Sequence, residues 1–308
     1  MTDPVVEFLG ASKWYGNVIG LNNLSLRLPA GVTGLLGPNG SGKSTLLQLA
    51  TGQLRPSQGG VRVLGEQPWN NPGLNRFIGL CPEQDAFFEW MTGREFLTNC
   101  ALLSGLGRKG ARNATDRVLE MVGMTEHAGR AVRGYSKGMR QRIKLAQALV
   151  HEPRILFLDE PFTGTDPLAR RDLMDIVIDY GRKGRAVLLA SHVFHEVQSV
   201  TRDIVLLNRG RLVAQGDVRR IRDLIDSHPH RIVLKSPAVR VLAASLAIRE
   251  DVVGIEFKQP GMIVVETRRP DAFYSQLADP KLQALAPIDE VYSDDDSMEA
   301  VFKYLVTT

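Results

Sequence analysis

The residues with the plainest chemical purpose are Gly37-Pro38-Asn39-Gly40-Ser41-Gly42-Lys43-Ser44-Thr45, which fit the G-x-x-x-x-G-K-[ST] spacing of a phosphate-binding loop. Its glycines can take backbone angles that other residues avoid, so several N–H groups can turn inward on one anion. An apolar run at 32–36 precedes the loop and reads as a buried strand. Leu46, Leu47, Leu49 and Ala50 follow at helical spacing, and that helix adds the positive end of its dipole. Lys43 then supplies a point charge to the β- and γ-phosphates, and the Ser44 hydroxyl a ligand for Mg²⁺. A glycine-rich turn matching by chance would lack the strand before it and the helix after it.

A second group of residues suits the same chemistry. The continuous apolar run at 155–158 has strand length and reads as a central parallel strand buried on both faces. Asp159 and Glu160 follow at its carboxyl end, where ligands bind in open α/β sheets. Asp159 can hold Mg²⁺, and Glu160 can orient or deprotonate an attacking water. A solvated loop after the strand would explain neither the paired carboxylates nor Pro161. The run at 186–190 ends in Ser191-His192, where a histidine is as much structural as functional. Ser136, within Tyr135-Ser136-Lys137-Gly138-Met139, opens a helix as its N-cap and makes a second anion-ready helix end, though an ordinary capped helix is the plainer reading of that stretch alone. In Lys13-Trp14-Tyr15-Gly16 an aromatic either stacks on a base, typically worth ~1–3 kcal/mol, or covers a sheet edge.

The bulk properties bound the class. The chain has 308 residues, which suggests two domains, and is 44% hydrophobic and 23% charged, as globular proteins are. A net charge of +4, spread along the chain, does not argue for nucleic acid and is equally compatible with weak attraction to an anionic membrane surface. Cys81 and Cys100 lack metal-ligand spacing and read as reduced thiols. No run approaches the ~18 apolar residues of a membrane span, and the start Met1-Thr2-Asp3-Pro4 has no signal-peptide pattern. A membrane process would need another chain to supply the spans.

The elements that must position these groups follow from pattern. Residues 5–8, 24–28 and 32–36 read as a small sheet, with further strands at 61–64 and 77–80. After Cys81-Pro82-Glu83-Gln84-Asp85 comes an exposed-looking cluster of Phe87, Phe88, Trp90 and Met91. Residues 94–125 read as helices broken at 104–110, and 204–207 with 211–214 as a hairpin. From about 226 the pattern is βαββαβ plus a final helix at 297–306, which suggests a ferredoxin-like unit without a catalytic constellation. Its strands are 231–235, 252–257, 262–266 and 288–292, and its helices 238–248 and 271–285. Asp294-Asp295-Asp296 reads as a solvated helix start rather than a cation site.

In this order the pieces resemble the ATP-binding cassette (ABC) ATPases, over about residues 5–225. Tyr15 looks like the base-stacking aromatic, Gly37 to Thr45 like the Walker A loop, and Tyr135 to Met139 like the family signature, which holds the ATP of a partner chain. Asp159 and Glu160 look like the Walker B metal-binding aspartate and the catalytic glutamate, His192 like the switch histidine, and Gly164-Thr165-Asp166 like the loop coupling two active sites. The resemblance implies an α/β P-loop NTPase with a RecA-like parallel sheet core, an antiparallel β subdomain and a helical subdomain at about 84–150, all within 1–225. A small α+β C-terminal domain would occupy 226–308. It implies ATP and Mg²⁺, the ion held by Ser44, Glu83 and Asp159, and a second ATP-binding subunit sandwiching two ATP molecules. The variant signature, with Lys137 and Met139, resembles exporters of drugs, polysaccharides, lipids or sodium, whose ATPase is a separate chain beside a transmembrane permease; those chains commonly end much like Ser297-Met298-Glu299-Ala300-Val301-Phe302. The expectation is therefore a peripheral protein on the cytoplasmic face of the membrane, with no nucleic-acid partner. The helices at 94–148 and the aromatics at 87–91 would meet the permease. The alternative is a soluble ABC protein of ribosomes or DNA, but those types usually carry two cassettes or long coiled coils. Departures from the family are Pro82-Glu83 for Pro-Gln, with Gln84 one place later, and Phe162 and Thr165 for Thr and Leu.

Overall fold

The computed structural model describes residues 4–223, 229–295 and 298–307. It divides into two compact units, Met1–Asp217 and Val218–Thr308. In the first unit, six strands form a sheet of order β5-β6-β7-β3-β8-β9: β5 (Ile78–Cys81), β6 (Ile155–Asp159), β7 (Ala186–Ser191), β3 (Gly31–Leu36), β8 (Asp203–Asn208) and β9 (Arg211–Asp217). All pairs are parallel except β8 with β9, an antiparallel hairpin as its sequence suggests. Every residue of β6 and β7 is buried, as central parallel strands require.

A second sheet, of order β2-β1-β4, is antiparallel: β2 (Val18–Leu28), β1 (Val6–Tyr15) and β4 (Gln58–Val63). Here the structure corrects the sequence reading. Residues 32–36 are not the third strand of the small sheet; they pair with β7 and β8 in the parallel one, and β4 takes their place beside β1. The cause is burial on both faces: the last four residues of β3 are buried consecutively, whereas β2 alternates toward its end. Helix α1 (Lys43–Ala50) fills the space between the sheets. Its Leu46, Leu47 and Leu49 share one apolar cluster with Phe8 and Leu24 of the antiparallel sheet and with Phe157 and Leu188 of the parallel one. That packing on both sides fixes where Lys43 and Ser44 begin the helix.

The single turn α2 (Pro72–Asn75) precedes β5, and between β5 and β6 lie α3 (Gly93–Leu103), α4 (Arg108–Met121) and α5 (Lys137–Leu149). The break between α3 and α4 falls where the glycines predict it. Thr92 and Glu95 form a reciprocal capping box at the start of α3. Helices α6 (Pro167–Arg182) and α7 (Phe194–Val200) flank β7 in sequence. Burial pushes the Cys81 thiol up to about 12 and that of Cys100 to about 11, so both stay protonated at neutral pH.

The second unit opens with α8 (Val218–Asp223) and holds a four-stranded antiparallel sheet of order β11-β12-β10-β13. Its strands are β10 (His230–Lys235), β11 (Val252–Gln259), β12 (Met262–Thr267) and β13 (Glu290–Ser293). Ile232, Leu234, Ile263 and Val265 pack on Leu242 and Leu246 of α9 (Val239–Ala247) and on Phe273 and Leu277 of α10 (Pro270–Leu277). The helical stretch at 271–285 divides in two. Asp279 leaves the helical region ahead of Pro280, its carboxylate accepts from the Lys281 N–H, and α11 (Pro280–Leu285) starts afresh. The final helix is α12 (Met298–Thr307); Ser297 and Asp296 lie outside the described residues, as does the 225/226 boundary.

Asp295 departs from the expected solvated helix start. It is 2% exposed and pairs with the guanidinium of Arg222, itself 2% exposed; its carboxylate also accepts from the Arg231 N–H at 3.1 Å and the Ser293 hydroxyl at 3.2 Å. Asp294 stays at the surface, 3.8 Å from Arg231. Removing one partner of a buried pair leaves a stranded charge, so Asp295→Ala is expected to destabilise the second unit by ~3–5 kcal/mol. Hydrogen exchange along β10 measures this; unchanged protection would show the pair to be dispensable.

Candidate functional site

The carboxyl ends of β3, β5, β6 and β7 open onto one cavity of about 510 Å³. Asn39 to Thr45 line it together with Glu83 from beyond β5, Asp159 at the end of β6 and Glu160 just beyond it, and His192 from beyond β7. Tyr15 and Gly20 reach it from the antiparallel sheet. The Tyr15 side chain is 44% exposed, with its hydroxyl 3.3 Å from the Thr45 hydroxyl. Gly42 has φ of +106°, and a Cβ there would lie 2.5 Å from the Gly20 carbonyl, so the loop can pass only as glycine. As the N-cap of α1 it offers no side-chain acceptor, which leaves the first N–H groups of the helix for an anion.

Gly37 and Pro38 contribute carbonyls. Lys43, 7% exposed, donates to them at 2.7 and 3.2 Å. Burial pulls the Lys43 pKa down, and the carboxylates of Glu160, Asp159 and Glu83 oppose that shift. The Ser41 hydroxyl is buried in the cavity wall without a hydrogen-bond partner, a polar atom that a ligand oxygen would satisfy. Asp159 bonds the Ser44 hydroxyl; burial raises its pKa, with Glu83 and Glu160 adding to the rise.

Glu160 is held in an unusual way. Its φ is +49°, a left-handed conformation costing ~1–3 kcal/mol for such a residue. Its N–H donates to Ala190 O at 2.9 Å, and Gln141 Nε2 donates to the next carbonyl, Pro161 O, at 2.5 Å. The carboxylate accepts from the His192 N–H at 2.9 Å, lies 2.7 Å from His192 Nδ1, and accepts from the Ser191 hydroxyl at 3.1 Å. The strained backbone thus aims one carboxylate at the cavity and fixes His192 beside it. Buried Glu196 stands behind Ser191, paired with Arg170 at 3.3 Å. Sequence reasoning missed Gln141, Ser191 and Glu196 as supports; a serine before the histidine was the one local signal.

Gly37 and Pro38 do not line this cavity themselves, and two further groups of sequence-predicted residues stay out of it. None of Tyr135, Ser136, Lys137, Gly138 and Met139 lines it. Ser136 caps α5, accepting from the Met139 N–H at 3.3 Å, and the Tyr135 hydroxyl donates to His127 O at 2.8 Å. Asp166 caps α6, accepting from the Ala169 N–H at 2.9 Å. The two groups meet at Gly164, where a Cβ would fall 2.2 Å from Lys137 Cε and φ is +76°. The Lys137 stem therefore crosses a position that only glycine can occupy.

Within the cavity, a cation and an anion cradle face three carboxylates and a histidine. That suits a polyphosphate bridged by a hard cation, with water on the carboxylate side. Ser44, Asp159 and Glu83 offer only oxygen donors, which fit Mg²⁺. Among the described residues no three His, Cys, Asp or Glu groups converge as a metal cage, so the ion would depend on phosphate oxygens as well. Gln84 lines a neighbouring recess of about 310 Å³ with Leu47 and Gln48; Glu83 lines that recess and the main cavity as well, which Gln84 does not reach.

Known proteins agree with this geometry. The profile of the ABC transporter family matches residues 21–163. The chain is 36% identical over 245 residues to YxlF of Bacillus subtilis, an ABC transporter ATP-binding protein, across 80% of each chain. It is 31% identical over 296 residues to the daunorubicin/doxorubicin resistance ATP-binding protein DrrA of Streptomyces peucetius, across 93% of this chain and 86% of that one. The ATP-binding subunit of an ABC transporter superposes with a TM-score of 0.66 at 26% identity, covering 71% of this chain and 92% of that one. A nucleotide-free ATP-binding cassette shares the fold, with a TM-score of 0.62 at 22% identity over 70% and 91%.

Proposed function

The chain belongs to the ATP-binding cassette family of transporter ATPases, and on that premise we propose that it powers an exporter by hydrolysing ATP beside a separate transmembrane subunit. One observation carries the reading: a single cavity gathers the phosphate loop, Asp159, Glu160 and His192, while the signature lies outside it. A chain with two phosphate-binding helix ends that do not meet uses both on one nucleotide only when a second chain supplies the other. Two copies would therefore sandwich two ATP molecules, each held by one chain's loop and its partner's Ser136, with Asp166 near the junction.

Within this arrangement the backbone N–H groups of 39–45 and Lys43 hold the phosphates, and Tyr15 stacks on the base. Ser44, Asp159 and Glu83 would hold Mg²⁺, whose charge helps neutralise the phosphates. Glu160 takes the proton of the attacking water, and His192, bonded to Glu160 through both its N–H and Nδ1, keeps that carboxylate aimed. The 1–225 region would be the cassette and 226–308 an accessory domain, although α8 before that boundary already belongs to the second compact unit. Its strand order, with two crossover connections, supports a ferredoxin-like assignment.

Among the described residues no helix is long and apolar enough to cross a membrane; on the family reading a partner would supply the spans, with this chain on the cytoplasmic face. Phe88 and Trp90, 53% and 70% exposed beside α3, are the surface proposed to meet it. The test is phosphate release by the purified chain with ATP and Mg²⁺, combined with co-purification of a candidate six-span permease. A folded chain that neither hydrolyses ATP nor retains any permease contradicts the proposal.

Glu83 carries a prediction of its own. Glu83→Gln keeps an oxygen ligand and removes one negative charge beside the phosphates, so turnover is expected to stay within about tenfold of the parent chain or to rise, a barrier change under ~1.4 kcal/mol. Steady-state phosphate release measures it. A fall of several orders of magnitude would give the carboxylate a specific role as a metal ligand.

A further inference from the structure

Lys144 stands two turns into α5, on a stretch where Ile143, Leu145 and Ala146 are all buried, and is itself 4% exposed. Its ammonium has three protons and finds three acceptors, all on the loop after β5: Glu83 O at 2.7 Å, Pro82 O at 3.3 Å and the Asp85 carboxylate at 3.2 Å. One turn earlier, Arg140 grips the Glu89 carboxylate through two bonds of 2.7 Å each and reaches Asp85 at 3.4 Å. The loop is thereby fastened to α5 at both ends. It carries Glu83 into the nucleotide cavity and Phe88 onto the surface, while α5 begins at the Ser136 cap.

We propose that Lys144 is a positioning residue that sets Glu83 in the cavity by clamping the backbone of Pro82 and Glu83 to the signature helix. This rests on the reading that Glu83 faces the cation of bound nucleotide. The clamp acts through main-chain carbonyls, so it would place an amide at position 83 as well as a carboxylate, consistent with the tolerance expected of Glu83→Gln.

The test uses the full chain and Lys144→Met, which keeps an apolar stem and removes the cation. In hydrogen exchange without nucleotide, amides at 83–89 should exchange at least about tenfold faster, with those of the phosphate loop and α1 unchanged. Affinity for trinitrophenyl-ATP without Mg²⁺ should hold within about twofold, because the phosphate loop is untouched. The Mg²⁺ concentration giving half-maximal turnover should rise by about 10–100-fold, the usual effect of losing a support behind a metal ligand. In a Glu83→Ala background the same substitution should add no further shift, although loop exchange still rises. Equal shifts in both backgrounds, or unchanged protection of 83–89, overturn the proposal. If Glu83→Ala alone leaves the Mg²⁺ requirement unchanged, the cation-facing reading of Glu83 fails and the positioning role with it, while exchange still decides whether Lys144 fastens the loop. Should Lys144→Met fail to fold, Asp85→Asn, at a half-exposed position, reads the same clamp: loop exchange that does not rise counts against it.

Discussion

Lys43→Ala is expected to abolish tight ATP binding. Lys43 is the only lysine or arginine lining the nucleotide cavity among the described residues, and Glu83, Asp159 and Glu160 line it too. Without the cation, a polyphosphate enters beside three carboxylates with only backbone N–H groups to hold it. A charge-assisted hydrogen bond is worth ~1.5–3 kcal/mol, and a unit-charge attraction at ~4 Å near a protein surface is worth up to ~4 kcal/mol. A loss of ~3–4 kcal/mol corresponds to about a hundredfold to a thousandfold in dissociation constant. Isothermal titration with Mg-ATP measures it. Parent-like affinity in a folded variant would contradict the assignment of Gly37 to Thr45 as the phosphate-binding loop.

The second large effect is on turnover. Glu160→Gln keeps the size of the side chain and its contacts with Ser191 and the His192 N–H, but removes the group that takes a proton from water. General-base contributions run at ~10²–10⁴-fold, so phosphate release should fall by about that factor. Nucleotide binding should survive, since Lys43, Ser44 and the loop amides are untouched. The positive φ of Glu160 does not obscure the comparison, because glutamine meets the same backbone strain. Hydrolysis at the parent rate would remove Glu160 from the role of base.

What could be read from sequence was whatever depends on neighbours in the chain. The spacing from Gly37 to Thr45, the paired carboxylates after an apolar strand and the Ser136 cap are each local, and each has an evident physical purpose. The fold class followed from the same elements, because continuous apolar runs at 155–158 and 186–190 can serve only as strands covered on both faces. What could not be read depends on partners far apart. Lys144 looks like an ordinary lysine on a helix until the loop some 60 residues earlier is folded against it. Gln141 supports the exit of β6, and Asp295 is buried only because Arg222 meets it from 73 residues away. The residues at 32–36 went to the wrong sheet because a short apolar run does not say which strands flank it. The exit of Glu160 into a left-handed conformation has no signature in residue type at all, since glutamate seldom adopts it.

The two-chain sandwich is tested most directly by measuring the mass of Glu160→Gln on size-exclusion chromatography with light scattering, with and without Mg-ATP. A variant that binds ATP but cannot cleave it should accumulate in the closed arrangement, with Ser136 of one chain beside the nucleotide on the other. The predicted result is a dimer that forms with Mg-ATP and dissociates when nucleotide is removed. A variant that binds ATP and remains monomeric, both alone and beside its membrane partner, would contradict the sandwich.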